Sequence, residues 1–231
     1  MLKLPIRCVL FDCDGTLIDN IPLHRKINSR LVKKTGITDG TGWFPDHPTH
    51  VFLDLGWSKE KILTFWKSFY DQEALANPRA VSGAEELLEH LRTKKIGSVV
   101  VTNRHYHTGF SELLKSAGLD ITNIDLLINY FHPVTAIQGA GVRPLNFLLA
   151  KYPKPDPRIL DSVDFFLKKL PDYPESVLMV GDSAKIDYGL AKNCGFQFIG
   201  VESGSDTRED LLKVVHGQFI IKNVGELINM L

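Results

Sequence analysis

Short runs of β-branched and aromatic residues recur along this chain, each followed by a stretch with helical spacing, and that alternation constrains the fold more than any other feature. The runs fall at 6–11, 96–101, 124–128, 177–180, 196–201 and 219–221. The helical segments fall at 84–94, 106–117, 157–170, 184–193, 207–215 and 224–231. Apolar runs of this length read as strands buried on both faces. Strands alternating with helices predict a parallel sheet covered on both sides, because every crossover must pack back onto the sheet with the same hand. The expected fold class is α/β, a doubly wound parallel sheet with a Rossmann-like core.

One interval breaks the rhythm. Between 17 and 81 there is no convincing strand, and helical patterns stand at 22–34 and 58–74. This reads as a small α-helical cap inserted after the first strand, giving core segments 1–16 and 82–231 and a cap over 17–81. All three tryptophans, Trp43, Trp57 and Trp66, fall in the insert beside Phe44, Phe52, Phe65, Phe69 and Tyr70, a load sufficient for a core of its own. Gly15-Thr16 on the way out and the Pro- and Gly-containing segment 77–83 on the way back supply the hinges.

With 44% hydrophobic residues the chain can bury a sizeable core, which excludes a disordered tail. Lys and Arg (27) balance Asp and Glu (27), so there is no positive excess of the kind that binds nucleic acid or anionic lipid; neither is expected as a partner. Cys8, Cys13 and Cys194 are odd in number and lack C-x-x-C spacing, which fits a reducing, cytoplasmic setting better than disulfides or zinc. No stretch resembles a signal peptide or a membrane span.

Four places bear chemistry. Residues 12–16 read D-C-D-G-T where the first strand opens into a loop, and Gly15 lets the backbone turn so that Asp12 and Asp14 can both face the crevice at the carboxyl edge of the sheet. Alone, such a pair reads more readily as a helix cap beside a solvated acid. Thr102-Asn103 closes the second strand with groups able to hold phosphate oxygens, though helix caps use the same residues. Lys154 precedes a proline-opened helix. Finally, residues 181–187 read G-D-S-A-K-I-D, with Asp182 at a strand end and Asp187 in the first helical turn, oxygen donors suited to Mg²⁺.

In that order, D-x-D-G-T, T-N, K-P and G-D-S-x-x-x-D resemble the four motifs of the haloacid dehalogenase-like hydrolases. The resemblance spans most of the chain, and its first and last motifs are the specific ones. It implies that Asp12 is the nucleophile, forming an aspartyl-phosphate, and that Asp14 is the general acid/base. Thr102, Asn103 and Lys154 would hold the transferring oxygens. Asp12, Asp14 (through its backbone carbonyl), Asp182 and Asp187 would bind Mg²⁺. An acid at position 14 points to phosphate esters rather than carbon–halogen bonds, hence to a phosphoric monoester hydrolase acting on a small phosphorylated metabolite. The segment D-N-I-P-L-H at 19–24 is similar to one in β-phosphoglucomutase-like and sugar-phosphatase-like members, which makes His24 a candidate for cap closure; His47 and His50 are candidates for substrate contact.

A sugar phosphomutase of the same superfamily would use the same Asp12, and a receiver-like or non-catalytic phospho-ligand-binding protein is the alternative of another class. The stretch from Thr102 to Lys154 is longer than the family pattern, its middle at 130–141 reads as an inserted loop, and Lys151 stands as a substitute for Lys154. His105 and His107 diverge too far on a helix to make a metal pair. Cys13, between two acids, is expected to be inert. The substrate's identity and the oligomeric state are not legible in the sequence.

Overall fold

A computed structural model describes residues 5–35, 48–105, 110–130 and 147–231, with side chains for all of these except 32–35, 48, 50, 105 and 147. In chain order the elements are β1 (Cys8–Phe11), β2 (Ile18–Asp19), α1 (Ile21–Thr35), α2 (Pro48–Asp54), α3 (Lys59–Ala76), β3 (Arg79–Ala80), α4 (Ala84–Lys94), β4 (Gly97–His105) and α5 (Phe110–Ala117). They continue with β5 (Leu126–Tyr130), β6 (Phe147–Ala150), α6 (Asp164–Leu167), β7 (Val177–Gly181), α7 (Asp187–Cys194), β8 (Gln197–Val201), α8 (Arg208–Leu212) and β9 (Ile220–Ile221).

Seven strands form one sheet in the order β6-β5-β4-β1-β7-β8-β9. Every neighbouring pair in it is parallel. The chain builds outward from β1 through β4, β5 and β6, then returns to the other side of β1 at β7. The strand order therefore reverses at β1, and a doubly wound sheet opens its ligand crevice at the carboxyl end of such a switch point.

Period-two alternation along the strands feeds two cores. Val9, Phe11, Val100, Leu178 and Val180 point to one face, with Leu87, Leu88 and Leu91 of α4 and Leu113 and Leu114 of α5. Cys8, Leu10, Val99, Val101, Val177 and Met179 point to the other, with Leu190 and Ala191 of α7. A third apolar cluster lies within the insert: Ile27 and Leu31 of α1, Phe52 of α2, Trp57, and Ile62, Phe65, Trp66 and Phe69 of α3. Phe52 stacks on Trp57 with centroids 4.3 Å apart, and Trp66 donates its indole N–H to Thr49 at 2.9 Å. α3 starts at Ser58, whose hydroxyl accepts from the Lys61 N–H, and stops at Asn77, which turns left-handed (φ 49°).

The insert leaves and rejoins the core through one antiparallel pair, β2 with β3, in which Ile18 faces Ala80 and Asp19 faces Arg79. Both hinges thus run side by side.

Four expectations are corrected. The sheet has a seventh strand, β6, at its edge, where Phe-Leu-Leu-Ala carries no β-branched residue to signal it. The segment 157–170 is not one helix but a 3₁₀ turn at Pro157–Leu160 followed by the short α6. Ile159, Leu160, Val163 and Leu167 are all still buried, so helical spacing is kept while Val163, at φ −124° and ψ −8° outside the helical region, interrupts the helix. The last segment is 3₁₀ at Val224–Asn229. The insert also holds α2, a short proline-opened helix that a Gly- and Pro-rich stretch concealed. The loop expected at 130–141 lies outside the described residues beyond Tyr130.

Candidate active site

Asp12 follows β1, at the centre of the sheet, its N–H donating to the Val180 carbonyl at 2.9 Å. Beside it, after β7, stands Asp182, and Asp187 opens α7; carboxylate oxygens of the three lie within 4.8 Å of one another, all buried. Lys154, after β6, reaches into this cluster. Its Nζ lies 2.5 Å from Asp12 Oδ1 and 2.7 Å from Asp187 Oδ1, and its side chain is 1% exposed. Lys151 is exposed, so Lys154 is the lysine that the fold delivers.

Backbone amides fix two further carboxylate oxygens. Ser205 N–H donates to Asp182 Oδ2 at 2.5 Å, and Ser183 N–H to Asp187 Oδ2 at 3.0 Å. Gly204 packs directly on the Asp182 side chain, where a Cβ would overlap the carboxylate. Gly15 turns with φ +79°, and a Cβ there would sit 2.7 Å from Asp182 Oδ2, so glycine is required on both counts.

Three buried carboxylates against one ammonium leave an excess of negative charge. Burial first, then repulsion from Asp187 and Asp14, pushes Asp12 up to about 7, with Lys154 pulling the other way. Burial and the charges of Asp12 and Asp187 raise Asp182 well above the ordinary carboxylate range. Burial alone would lower Lys154, but Asp12 and Asp187 outweigh it and raise its pKa. Such a donor set fits a hard divalent cation, whose two charges would offset the surplus.

Thr102 ends the regular part of β4, 1% exposed, its Oγ1 accepting from the Arg104 N–H at 3.1 Å. The strand bulges just beyond, between Thr102 and His105. Asn103, expected at the phosphate, is engaged elsewhere: its Oδ1 accepts from the Lys154 N–H at 2.7 Å and its Nδ2 donates to the Lys154 carbonyl at 3.0 Å. It clamps the backbone from which Lys154 projects.

The carboxylate of Asp14 is not with the other three. Its Oδ1 accepts from Asn20 Nδ2 at 2.6 Å and from Arg104 Nη1 at 2.5 Å. With a side chain 22% exposed, it has access to the crevice. Together with His24 and Glu73 it forms a second group of acids and imidazole within 4.8 Å. His24 Nε2 lies 2.6 Å from Glu73 Oε1, and Arg104 Nη2 bonds Glu73 Oε2. His50 lies on α2, its side chain among those not described, while His47 and His107 fall outside the described residues. Cys13 is fully buried, and burial, more than its acidic neighbours, raises its pKa well above the usual thiol value.

Arg104, Glu73 and Asn20 escape a reading of the sequence. Glu73 does leave a trace: it continues the stripe Ile62, Phe65, Trp66, Phe69 at helical spacing, so a charge stands where an apolar residue is due.

A family model described as haloacid dehalogenase-like hydrolase matches residues 6–195, and the chain belongs to that family of hydrolases. Among curated proteins it is similar to "Putative pyrophosphatase PpaX" of Caldanaerobacter subterraneus, 28% identical over 234 residues covering 98% of this chain and 94% of that one. Among solved structures it is similar to a "Putative haloacid dehalogenase-like hydrolase" from Bacteroides fragilis, with TM-score 0.69, 22% identity, and coverage of 96% of this chain and 99% of the other. A "putative phosphoglycolate phosphatase" from Lactobacillus delbrueckii subsp. bulgaricus gives TM-score 0.69 at 19% identity, covering 98% of each chain. At these identities the structural likenesses concern the fold. No helix among the described residues is long and apolar enough to cross a membrane.

Proposed function

We propose that this hydrolase is a Mg²⁺-dependent phosphatase that cleaves a small phosphate monoester through an aspartyl-phosphate on Asp12, with residues 17–81 as a cap over the crevice. The observation that carries this reading is the Asp12 carboxylate at the carboxyl end of the central strand, 2.5 Å from Lys154 and clustered with Asp182 and Asp187.

Lys154 Nζ and the Thr102 hydroxyl hold the phosphoryl oxygens, and Asn103 fixes the backbone of Lys154. The ionised Asp12 attacks phosphorus as the bond to the leaving oxygen breaks, while Asp14 gives that oxygen a proton. Among the described residues both hydrogen bonds to Asp14 converge on Oδ1, which leaves Oδ2 for the proton. Asp14 then takes a proton from water as the water oxygen attacks the aspartyl-phosphate, releasing phosphate and restoring both carboxyl groups. Asp12, Asp182, Asp187 and the Asp14 carbonyl would hold Mg²⁺, which would supply the charge neutralisation that lets Asp12 stay ionised. Alignment and charge stabilisation are most of what phosphoryl transfer asks of a protein.

Phosphate release from sugar phosphates, phosphoglycolate, nucleoside monophosphates and pyrophosphate, with and without Mg²⁺, tests the proposal. Turnover that requires the metal and is lost in Asp12→Asn is expected. Transfer of the phosphoryl group to a sugar without release would replace hydrolysis by the mutase reading, and binding without any turnover would leave a phospho-ligand-binding role.

A further inference from the structure

Four side chains, those of Asp14, Asn20, Glu73 and Arg104, close a ring of hydrogen bonds. Asp14 Oδ1 accepts from Asn20 Nδ2 (2.6 Å), and the same Nδ2 donates to Glu73 Oε1 at 3.1 Å. Glu73 Oε2 accepts from Arg104 Nη2, and Arg104 Nη1 returns to Asp14 Oδ1 at 2.5 Å. Asp14 and Arg104 belong to the sheet side, on the loop after β1 and the end of β4. Asn20 and Glu73 belong to the insert, one just before α1 and the other in the last turns of α3.

From this geometry we infer that Glu73 is a positioning residue for Asp14, aiming the general acid/base by seating both Arg104 and Asn20. The inference rests on the phosphatase reading above. Glu73 is 1% exposed and Arg104 6%, and the guanidinium lies 5.4 Å from the Tyr70 ring and 5.5 Å from Phe110, so neither charge has water to fall back on. Packing alone would be served as well by apolar residues of similar volume, since a buried ion pair adds little stability over them. What ionised, hydrogen-bonded partners add is direction. Burial works to raise the pKa of Glu73, but Arg104 and His24 outweigh it and hold the carboxylate ionised. Glu73 alone thus holds both groups that touch Asp14 Oδ1, and it touches neither Asp12 nor Lys154 among the described contacts.

Leaving-group dependence separates a positioning role from a merely structural one. kcat/KM reports the steps up to transfer onto Asp12, and an alkyl oxygen needs a proton to leave whereas p-nitrophenolate does not. In Glu73→Gln, kcat/KM for an alkyl phosphate is expected to fall about 10- to 100-fold, and for p-nitrophenyl phosphate by no more than about 3-fold. Arg104→Lys is expected to show the same selective loss and serves if Glu73→Gln does not fold; melting temperature identifies which variants do. Adding Glu73→Gln to Arg104→Lys should then cost little more than Arg104→Lys alone. Equal losses on both substrates, or no loss on either, in a folded variant would overturn the inference while leaving the phosphatase reading intact. A wild-type chain that releases phosphate from neither substrate in Mg²⁺ would instead overturn that reading, and the inference with it.

Discussion

Lys154 places its Nζ 2.5 Å from Oδ1 of Asp12 across 142 positions of sequence, and the pair is buried. The contact joins the loop after the edge strand β6 to the loop after the central strand β1, so the carboxyl edge of the whole sheet converges on one carboxylate. With Asp187 on the other side of the same ammonium, Lys154 is shared by two acids.

Replacing Lys154 by Met therefore leaves three buried carboxylates without a partner charge. The expected loss of stability at pH 8 is about 3–5 kcal/mol, the usual consequence of removing one side of a buried pair. At pH 5 the loss should shrink, because Asp12 and Asp182 are then protonated more readily. Urea denaturation at the two pH values makes the comparison; equal losses would show that the lysine is not offsetting these charges.

Stability of the metal-free protein should fall with rising pH. Asp12 titrates at about 7 in the folded chain and at 3.8 when unperturbed, so between those values the unfolded chain has released a proton that the folded chain still binds. Fewer protons bound when unfolded means that stability decreases as pH rises from about 4 to about 7 and levels off above. Asp182, raised in the same direction, adds to the slope. Mg²⁺ binds the deprotonated site, so it should raise the melting temperature more at pH 8 than at pH 5, and chelation should reverse the gain. A thermal shift independent of pH would contradict this account.

Gly204→Ala puts a methyl group onto the Asp182 carboxylate. The loop around it carries the Ser205 N–H that orients Asp182 Oδ2, so displacement there misaims one metal ligand. Mg²⁺ affinity is expected to drop about 10-fold, as it does when support behind a ligand is disturbed. Gly217→Ala, whose new Cβ would meet nothing closer than 3.5 Å, is the control and should titrate with Mg²⁺ like the wild type.

Phe52→Ala removes the fully buried ring that stacks on Trp57 and meets Phe65 edge-on at 4.6 Å. A cost of about 3–5 kcal/mol is expected from the lost burial and the cavity. Because that cluster is separate from the two flanking the sheet, the loss should be local. Tryptophan emission should shift to the red while amide protection of β1, β4 and β7 persists; simultaneous loss of both would mean that insert and sheet unfold as one unit.

The alternation of apolar runs and helical segments made six of the seven sheet strands legible, because strands buried on both faces must be apolar throughout and so announce themselves. β6 stayed hidden, since Phe-Leu-Leu-Ala at a sheet edge has nothing in composition to distinguish it from a helix. In the sequence Asp12, Thr102 and Asp182 stand out as candidates because each lies at the end of a legible strand, whereas Lys154 and Asp187 stand out only before a proline-opened helix and in a first helical turn. The hold that the Asn103 side chain has on the backbone of Lys154 is not legible in the sequence, because Lys154 comes within reach only after β6.

Sequence by itself determined six strands of the sheet, the longer inserted helices α1 and α3 and the acids at strand ends, because local spacing and the burial of apolar side chains act over a few residues. Tertiary structure alone decided which charges meet. Glu73 and Arg104 lie 31 positions apart, on different parts of the fold, and become partners only when α3 packs over the end of β4. Burial then makes each costly without the other, a constraint that exists in space and leaves almost no mark on the order of residues.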